Sequence, residues 1–200
     1  MTPAAASPAP PRPRVLRYFC IDVESSGSVP GLFNLLSIGC VAVDPGPPLV
    51  PGAELYVELR PTFAGFDPGA MAVNGLDRAA LERDGLDPAV ALGRLTEFVN
   101  AHRPEDARAI FVGHNAPFDW AMVNYYYHHF GLKNPFGYSA LDTKALAMGA
   151  LALTWPDTNK ETLERILQLP PQDASQIHRA DYDARYQALI FCKLMARIFP

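Results

Sequence analysis

Val15–Val23, VLRYFCIDV, reads as a β-strand because β-branched and aromatic residues dominate it, and it runs into two acids, Asp22 and Glu24. Leu35–Val43 (LLSIGCVAV) and Glu54–Leu59 (ELYVEL) have the same character. The breaks between the three segments, SSGSVPG and DPGPPLVPG, carry glycine and proline and are short enough for an antiparallel meander.

Beyond the third strand the hydrophobic period lengthens. Asp87-Pro88 looks like a helix cap followed by proline at the first helical position, and Val90, Leu92, Leu95, Phe98 and Val99 form an apolar face that ends near Asn100. A short strand follows at Ala109–Val112. Asn115 and Pro117 open the next helix, with Phe118, Ala121, Met122 and Tyr125 at helical spacing and Gly131 as its stop. A fifth strand is predicted at Tyr138–Leu141, then helices over Thr143–Leu151, Asn159–Leu169 and Ala180–Ile198. This order predicts an α/β protein with a mixed five-stranded sheet, three antiparallel strands and then parallel ones, flanked by helices. Ribonuclease-H-like folds share it.

Met1 to Arg14, MTPAAASPAPPRPR, is rich in proline and alanine and is expected to be a disordered tail, leaving one domain over residues 15–200. A hydrophobic fraction of 49% with 19% charged residues fits a soluble globular chain. No stretch approaches the roughly 18 apolar residues of a membrane span, and the N-terminus lacks the order of a secretory signal, so a cytoplasmic protein without a membrane partner is expected. Cys20, Cys40 and Cys192 lie in separate apolar segments, which suits buried thiols in a reducing compartment. The net charge of −4 argues against non-specific coating of nucleic acid. It is compatible with a nuclease, because clustered carboxylates stay negative until cations fill them.

Three segments carry the chemistry. Asp22 and Glu24 are two apart on a strand, so both side chains point to one face of the sheet. Alone, the pair is more simply read as two solvated acids at a strand end. Gly113-His114-Asn115-Ala116-Pro117-Phe118-Asp119 spans a strand-to-helix junction and puts Asp119 in the first helical turn, where a carboxylate also simply stabilises the helix start. In His178-Arg179-Ala180-Asp181-Tyr182-Asp183 the histidine and the last aspartate are five apart, about 140° around a helix. They converge only if His178 lies on the loop before the helix; an exposed histidine followed by helix-start acids is the plainer reading. The run Tyr125-Tyr126-Tyr127-His128-His129 suggests a stacking platform, although half of so aromatic a helix must face the core.

Taken together, in order and spacing, these segments resemble the three motifs of the DEDDh 3′→5′ exonucleases, a family that includes polymerase proofreading subunits and ribonuclease T. Asp22-Val23-Glu24, His114 through Asp119, and His178 through Asp183 carry the resemblance, with Met71-Ala72-Val73-Asn74-Gly75 and Leu141-Asp142-Thr143 as further matches, from about Arg17 to Phe191. Relatives often have two threonines, or threonine and glycine, after the first acids. Here Ser25-Ser26-Gly27 and then Ser28-Val29-Pro30-Gly31-Leu32-Phe33 follow. Asp181 competes with Asp183 for the metal role, and the histidine-to-aspartate spacing of the family favours Asp183.

The resemblance implies two divalent cations, Mg²⁺ or Mn²⁺. Asp22 would bridge both, Glu24 and Asp183 would hold the one near the attacking water, and Asp119 would support the second through water. Carboxylate oxygens suit such hard ions, and the sequence has no cysteine and histidine set with zinc spacing. His178 would be the general base. The implied substrate is single-stranded DNA or RNA with a free 3′ end, and Ser25, Ser26, Gly27, Leu32, Phe33, His114, Asn115 and Phe118 are the candidate contacts. A polymerase or a second copy of the chain is a possible partner. Two other readings stay open: a binding module of the same fold with weak or no catalysis, and a phosphodiesterase for short oligonucleotides.

Overall fold

The computed structural model describes residues 15–200, so the expected tail over residues 1–14 lies outside the described residues. Five strands form one sheet: β1 (Leu16–Ser25), β2 (Leu35–Asp44), β3 (Val50–Glu58), β4 (Arg108–Gly113) and β5 (Ala140–Asp142). Their order is β3-β2-β1-β4-β5. The first three pair antiparallel, while β4 runs parallel to β1 and β5 parallel to β4, which is the mixed sheet the sequence predicts.

β1 is the central strand, and its alternation sorts the core. Phe19, Ile21 and Val23 point into the larger cluster, shared with α3 (Pro88–Ala101) and α4 (Ala116–His129). Cys20 points the other way, toward Ala184, Ala188 and Phe191 of α7 (Ala180–Ile198). By the same two-residue period Asp22 and Glu24 fall on the α7 side. Both faces of β1 are thus covered along its inner part, where Phe19, Cys20, Ile21 and Val23 are almost completely excluded from solvent.

The differences from expectation are local. β3 begins at Val50, ahead of the predicted Glu54, and contains Pro51; an edge strand tolerates a residue without an N–H because one of its sides has no partner. Two helices went unpredicted, α1 (Pro68–Asn74) and α2 (Arg78–Asp84). At seven residues each they are too short to show a period. Their caps are nonetheless regular: Asp67 accepts from Ala70 N at 2.9 Å and Asp77 from Ala79 N at 2.8 Å. Helices α5 (Thr143–Leu151) and α6 (Lys160–Leu167), joined through a 3₁₀ turn at Trp155–Thr158, complete the chain before α7. Among the described residues no helix is long and apolar enough to cross a membrane.

One glycine sets where α7 starts. Gly39 on β2 lies opposite Asp22 in the strand register, and a Cβ built on it would sit 1.9 Å from the carbonyl oxygen of Ala180. The absence of a side chain lets the first turn of α7, which bears Asp183, settle directly beside the end of β1. Gly39→Ala should therefore displace that turn and destabilise the protein by about 1–3 kcal/mol, the usual cost of overpacking. Gly93→Ala, in α3 with open space around the added carbon, should instead be neutral or slightly stabilising. Thermal denaturation of the two variants checks this.

Candidate active site

The acids arrive from three elements. Asp22 and Glu24 stand at the end of β1, where a bulge between Glu24 and Ser25 ends the regular pairing with β2. Asp119 is in the first turn of α4, only 5% exposed, and its Oδ1 accepts a hydrogen bond of 3.1 Å from the backbone N–H of Val23 between the first two acids. Asp183 is in the first turn of α7 and 3% exposed, and its Oδ2 accepts from the backbone N–H of His178 at 2.7 Å.

That last bond resolves the spacing problem in the sequence. α7 begins at Ala180, so His178 lies on the preceding loop with a left-handed φ of 67° and turns back toward the helix. One ligand atom each from Glu24, His178 and Asp183 lies within 4.8 Å of the other two. Asp22 and Asp119 line the same cleft, which has a volume of about 600 Å³. Asp181 does not line it: its carboxylate accepts from Arg179 at 2.9 Å and from the backbone N–H of Tyr182 at 2.9 Å.

Gathering acids in a poorly solvated place raises their affinity for protons. Burial, moderated by Lys160 and reinforced by Asp183, pushes Asp22 up to about 7. Burial together with Asp22 and Asp183 pushes Glu24 up to about 9. Asp119 is raised as well, by burial and then by Asp22. Among the described residues no hydrogen bond from the protein reaches the carboxylate of Asp22 or Glu24. Carboxylates destabilised in this way, with hard oxygen donors left free, fit a divalent cation well.

The sequence reading missed the cation already present. Lys160, the first residue of α6, directs its ammonium to Asp183 Oδ1. Burial would lower its proton affinity, but Asp22 and Asp183 outweigh that and hold it above the ordinary lysine value. A positive charge at a helix N-terminus is disfavoured by the helix dipole, and Asn159-Lys160 was the available signal. Asn74, on α1, also lines the cleft and donates to the backbone oxygen of Ser25 at 3.0 Å.

The candidate substrate contacts divide. Ser25, His114, Asn115 and Phe118 line the main cleft. Gly27 and Phe33 line a smaller adjoining cavity of about 290 Å³ that shares Ser25, Ala70 and Phe118 with the first. Ser26 reaches neither: it is fully buried, its hydroxyl donating to the Gly65 carbonyl at 2.7 Å and accepting from Asn34 N at 2.8 Å. Leu32 lines neither cavity and is 58% exposed, because its loop turns it outward. His114 donates to or accepts from Thr143 Oγ1 at 2.8 Å, and burial, with Lys160 and Lys144 nearby, lowers its pKa to about 4, so the ring is neutral. The aromatic run of α4 divides: Tyr126 and Tyr127 are fully buried in the core, while Tyr125 is half-buried and stacks on the exposed His129 at 5.6 Å.

Residues 19–191 match the exonuclease family typified by ribonuclease T. The chain belongs to this exonuclease family. It is 39% identical to the 3′-5′ DNA exonuclease Cap18 of Escherichia coli over 175 residues, covering 87% of this chain and 89% of that protein. To ribonuclease T of Escherichia coli K12 it is 31% identical over 186 residues, 88% of this chain and 83% of the relative. Among solved structures, the zinc-bound complex of Escherichia coli ExoI with single-stranded DNA superposes with a TM-score of 0.69 at 19% identity, over 94% of this chain but only 42% of that one. The nuclease domain of 3′hExo, a DEDDh family member bound to rAMP, gives 0.66 at 11% identity, over 91% and 90%. The chain is a 3′→5′ exonuclease on the ribonuclease-H-like fold.

The raised acids make a stability prediction for this exonuclease. Folded values of about 7 for Asp22 and about 9 for Glu24 exceed the unfolded ones near 4. The folded state therefore holds protons that the unfolded chain has released, and this contribution is full below about pH 4 and lost as the pH rises through about 7 and 9. Without divalent metal the melting temperature should fall from pH 5 to pH 9, and Asp22→Asn, with one charge fewer, should melt above the wild type at pH 8. A flat profile measured in EDTA would refute the electrostatic account.

Proposed function

We propose that the chain removes nucleoside 5′-monophosphates one at a time from the 3′ end of a single strand, with Asp22, Glu24, Asp119 and Asp183 holding two divalent cations, Mg²⁺ or Mn²⁺, and His178 as general base. The observation that carries this reading is the approach of Glu24, His178 and Asp183 to within 4.8 Å in a cleft also lined by Asp22 and Asp119. When bound, the cations supply charge that stabilises the entering and leaving oxygens of an in-line displacement at phosphorus.

The chain's own groups do the rest. The His178 imidazole takes a proton from the attacking water, whose oxygen forms the new bond to phosphorus as the bond to the 3′ oxygen of the next nucleotide breaks. The backbone N–H of His178 fixes the Asp183 carboxylate, so acid and base keep their separation. Phe118, shared by the two cavities, is placed to stack on a base, and the smaller cavity beside Ser25, Gly27 and Phe33 accommodates the terminal sugar. The neutral ring of His114 serves as a hydrogen-bonding wall without adding charge. DNA is the first substrate to test, because identity to the DNA exonuclease exceeds that to ribonuclease T. The buried free thiols Cys20, Cys40 and Cys192 support a cytoplasmic location.

A 5′-labelled single strand should yield a descending ladder with Mg²⁺ or Mn²⁺ and none in EDTA, and a 3′-phosphate should block or strongly slow it, since a further dianion would meet the carboxylates of the cleft. Cleavage of a circular strand, or digestion starting at the 5′ end, would overturn the polarity. His178→Ala should lower turnover by about 10²–10⁴-fold, with less effect on Mn²⁺ affinity measured by calorimetry. Loss of metal binding at an unchanged rate per bound metal would make His178 a ligand instead of the base.

A further inference from the structure

Two lysines line the cleft, and they behave differently. Lys144 lies over the ring of Trp155, 4.5 Å from its centroid, at the rim. Lys160 points inward to Asp183, and its side chain is 22% exposed while that of Asp183 is 4% exposed. The two oxygens of Asp183 are thereby fully engaged, Oδ1 with the Lys160 ammonium and Oδ2 with the backbone N–H of His178. The helix start does not need a cation at its first position, where Asn159 already caps α6 by accepting from Thr162 N at 2.8 Å and the dipole disfavours positive charge. The acids explain its place, since it is the inward-facing cation within their reach among the described residues.

An ammonium on Asp183 Oδ1 and a divalent cation on the same oxygen exclude each other by charge and by contact distance. Lysine is suited to leaving, because its charge rides on a flexible four-carbon stem and makes a point contact with no fork geometry to break. We propose that Lys160 is a built-in counter-cation that neutralises the acids while the metal site is empty and must withdraw from Asp183 before a divalent ion can bind there. The inference rests on the reading that these acids hold metal, and it adds a regulatory step to it. The metal-free protein gains cohesion, and the apparent metal affinity falls by the fraction of molecules in which Asp183 is free. If the pair is formed about nine-tenths of the time, that reduction is about tenfold.

The test uses the full chain and Mn²⁺ alone as probe. Lys160→Met keeps the length and removes the charge, and Lys160→Gln is a polar second choice should the first fold poorly. Both should melt below the wild type in EDTA at pH 8, bind Mn²⁺ about tenfold more tightly by calorimetry, and gain more in melting temperature on saturation than the wild type does. In the unaltered protein the Lys160 amine should acetylate faster with Mn²⁺ present than in EDTA, read by mass spectrometry of the peptide that contains it. Folded variants with unchanged or weaker Mn²⁺ affinity, or an amine no more reactive with metal than without, would overturn the proposal while leaving the metal site intact. Mn²⁺ binding that is absent in the wild type, or unaltered in Asp183→Asn, would instead bring down the metal-site reading and this proposal with it.

Discussion

Mutual repulsion among four carboxylates is the constraint that the rest of the structure has to meet. Asp22, Glu24, Asp119 and Asp183 face one cleft, and each loses solvation by being there. Groups of like charge stay together only when the backbone leaves them no alternative. β1 provides that restraint because it is buried on both faces, with Phe19, Ile21 and Val23 on one side and Cys20 on the other. α4 is tied to β1 through Asp119 and the Val23 N–H, and α7 is brought against β2 through Gly39. Core packing, far larger in total than the local electrostatic penalty, is what makes the cluster possible.

Behind the smaller cavity, buried polar groups brace the loop that lines it. Asn34, fully buried, accepts from Thr62 N at 2.7 Å and Phe63 N at 2.6 Å while donating to the carbonyls of Phe63 and Gly65. Ser26 joins the same network. The loop from Ser25 to Phe33 is therefore held at its base, even though its sequence departs from the pattern of relatives. A network satisfied at every member specifies a single arrangement, because each lost bond would leave a buried group unpaired.

The parts legible in sequence were those with a long period or a fixed junction. Val15–Val23 showed the central strand, and Asp87-Pro88 marked the start of α3, where Asp87 accepts from Ala89 N at 2.9 Å. The acids were legible only as an ordered set, since each alone has a plain structural use. α1 and α2 were not legible as helices, because seven residues span too few turns for an apolar stripe and neither buries more than one side chain. Lys160 lay outside any motif: its partner is 23 residues away, and only the packing of α6 beside α7 brings the two together. The candidates Ser26 and Leu32 sat in the right loop, but the direction of a loop side chain is set by tertiary bonds that adjacent sequence does not encode.

Asp142 closes β5, a strand of only three residues, and its carboxylate serves two helices at once. Oδ1 accepts from Asn115 N at 2.9 Å and Ala116 N at 3.1 Å, at the start of α4, while the same side chain caps α5 through Lys144 N and Ala145 N. Asn115, left-handed at φ 69°, makes no cap of its own. One side chain is thus the common pivot pin of the helix that carries Asp119 and the helix that carries Lys144. The wall bearing Asp119 and the rim bearing Lys144 therefore hang from one anchor, and the mouth and the depth of the cleft are registered to each other by a single carboxylate.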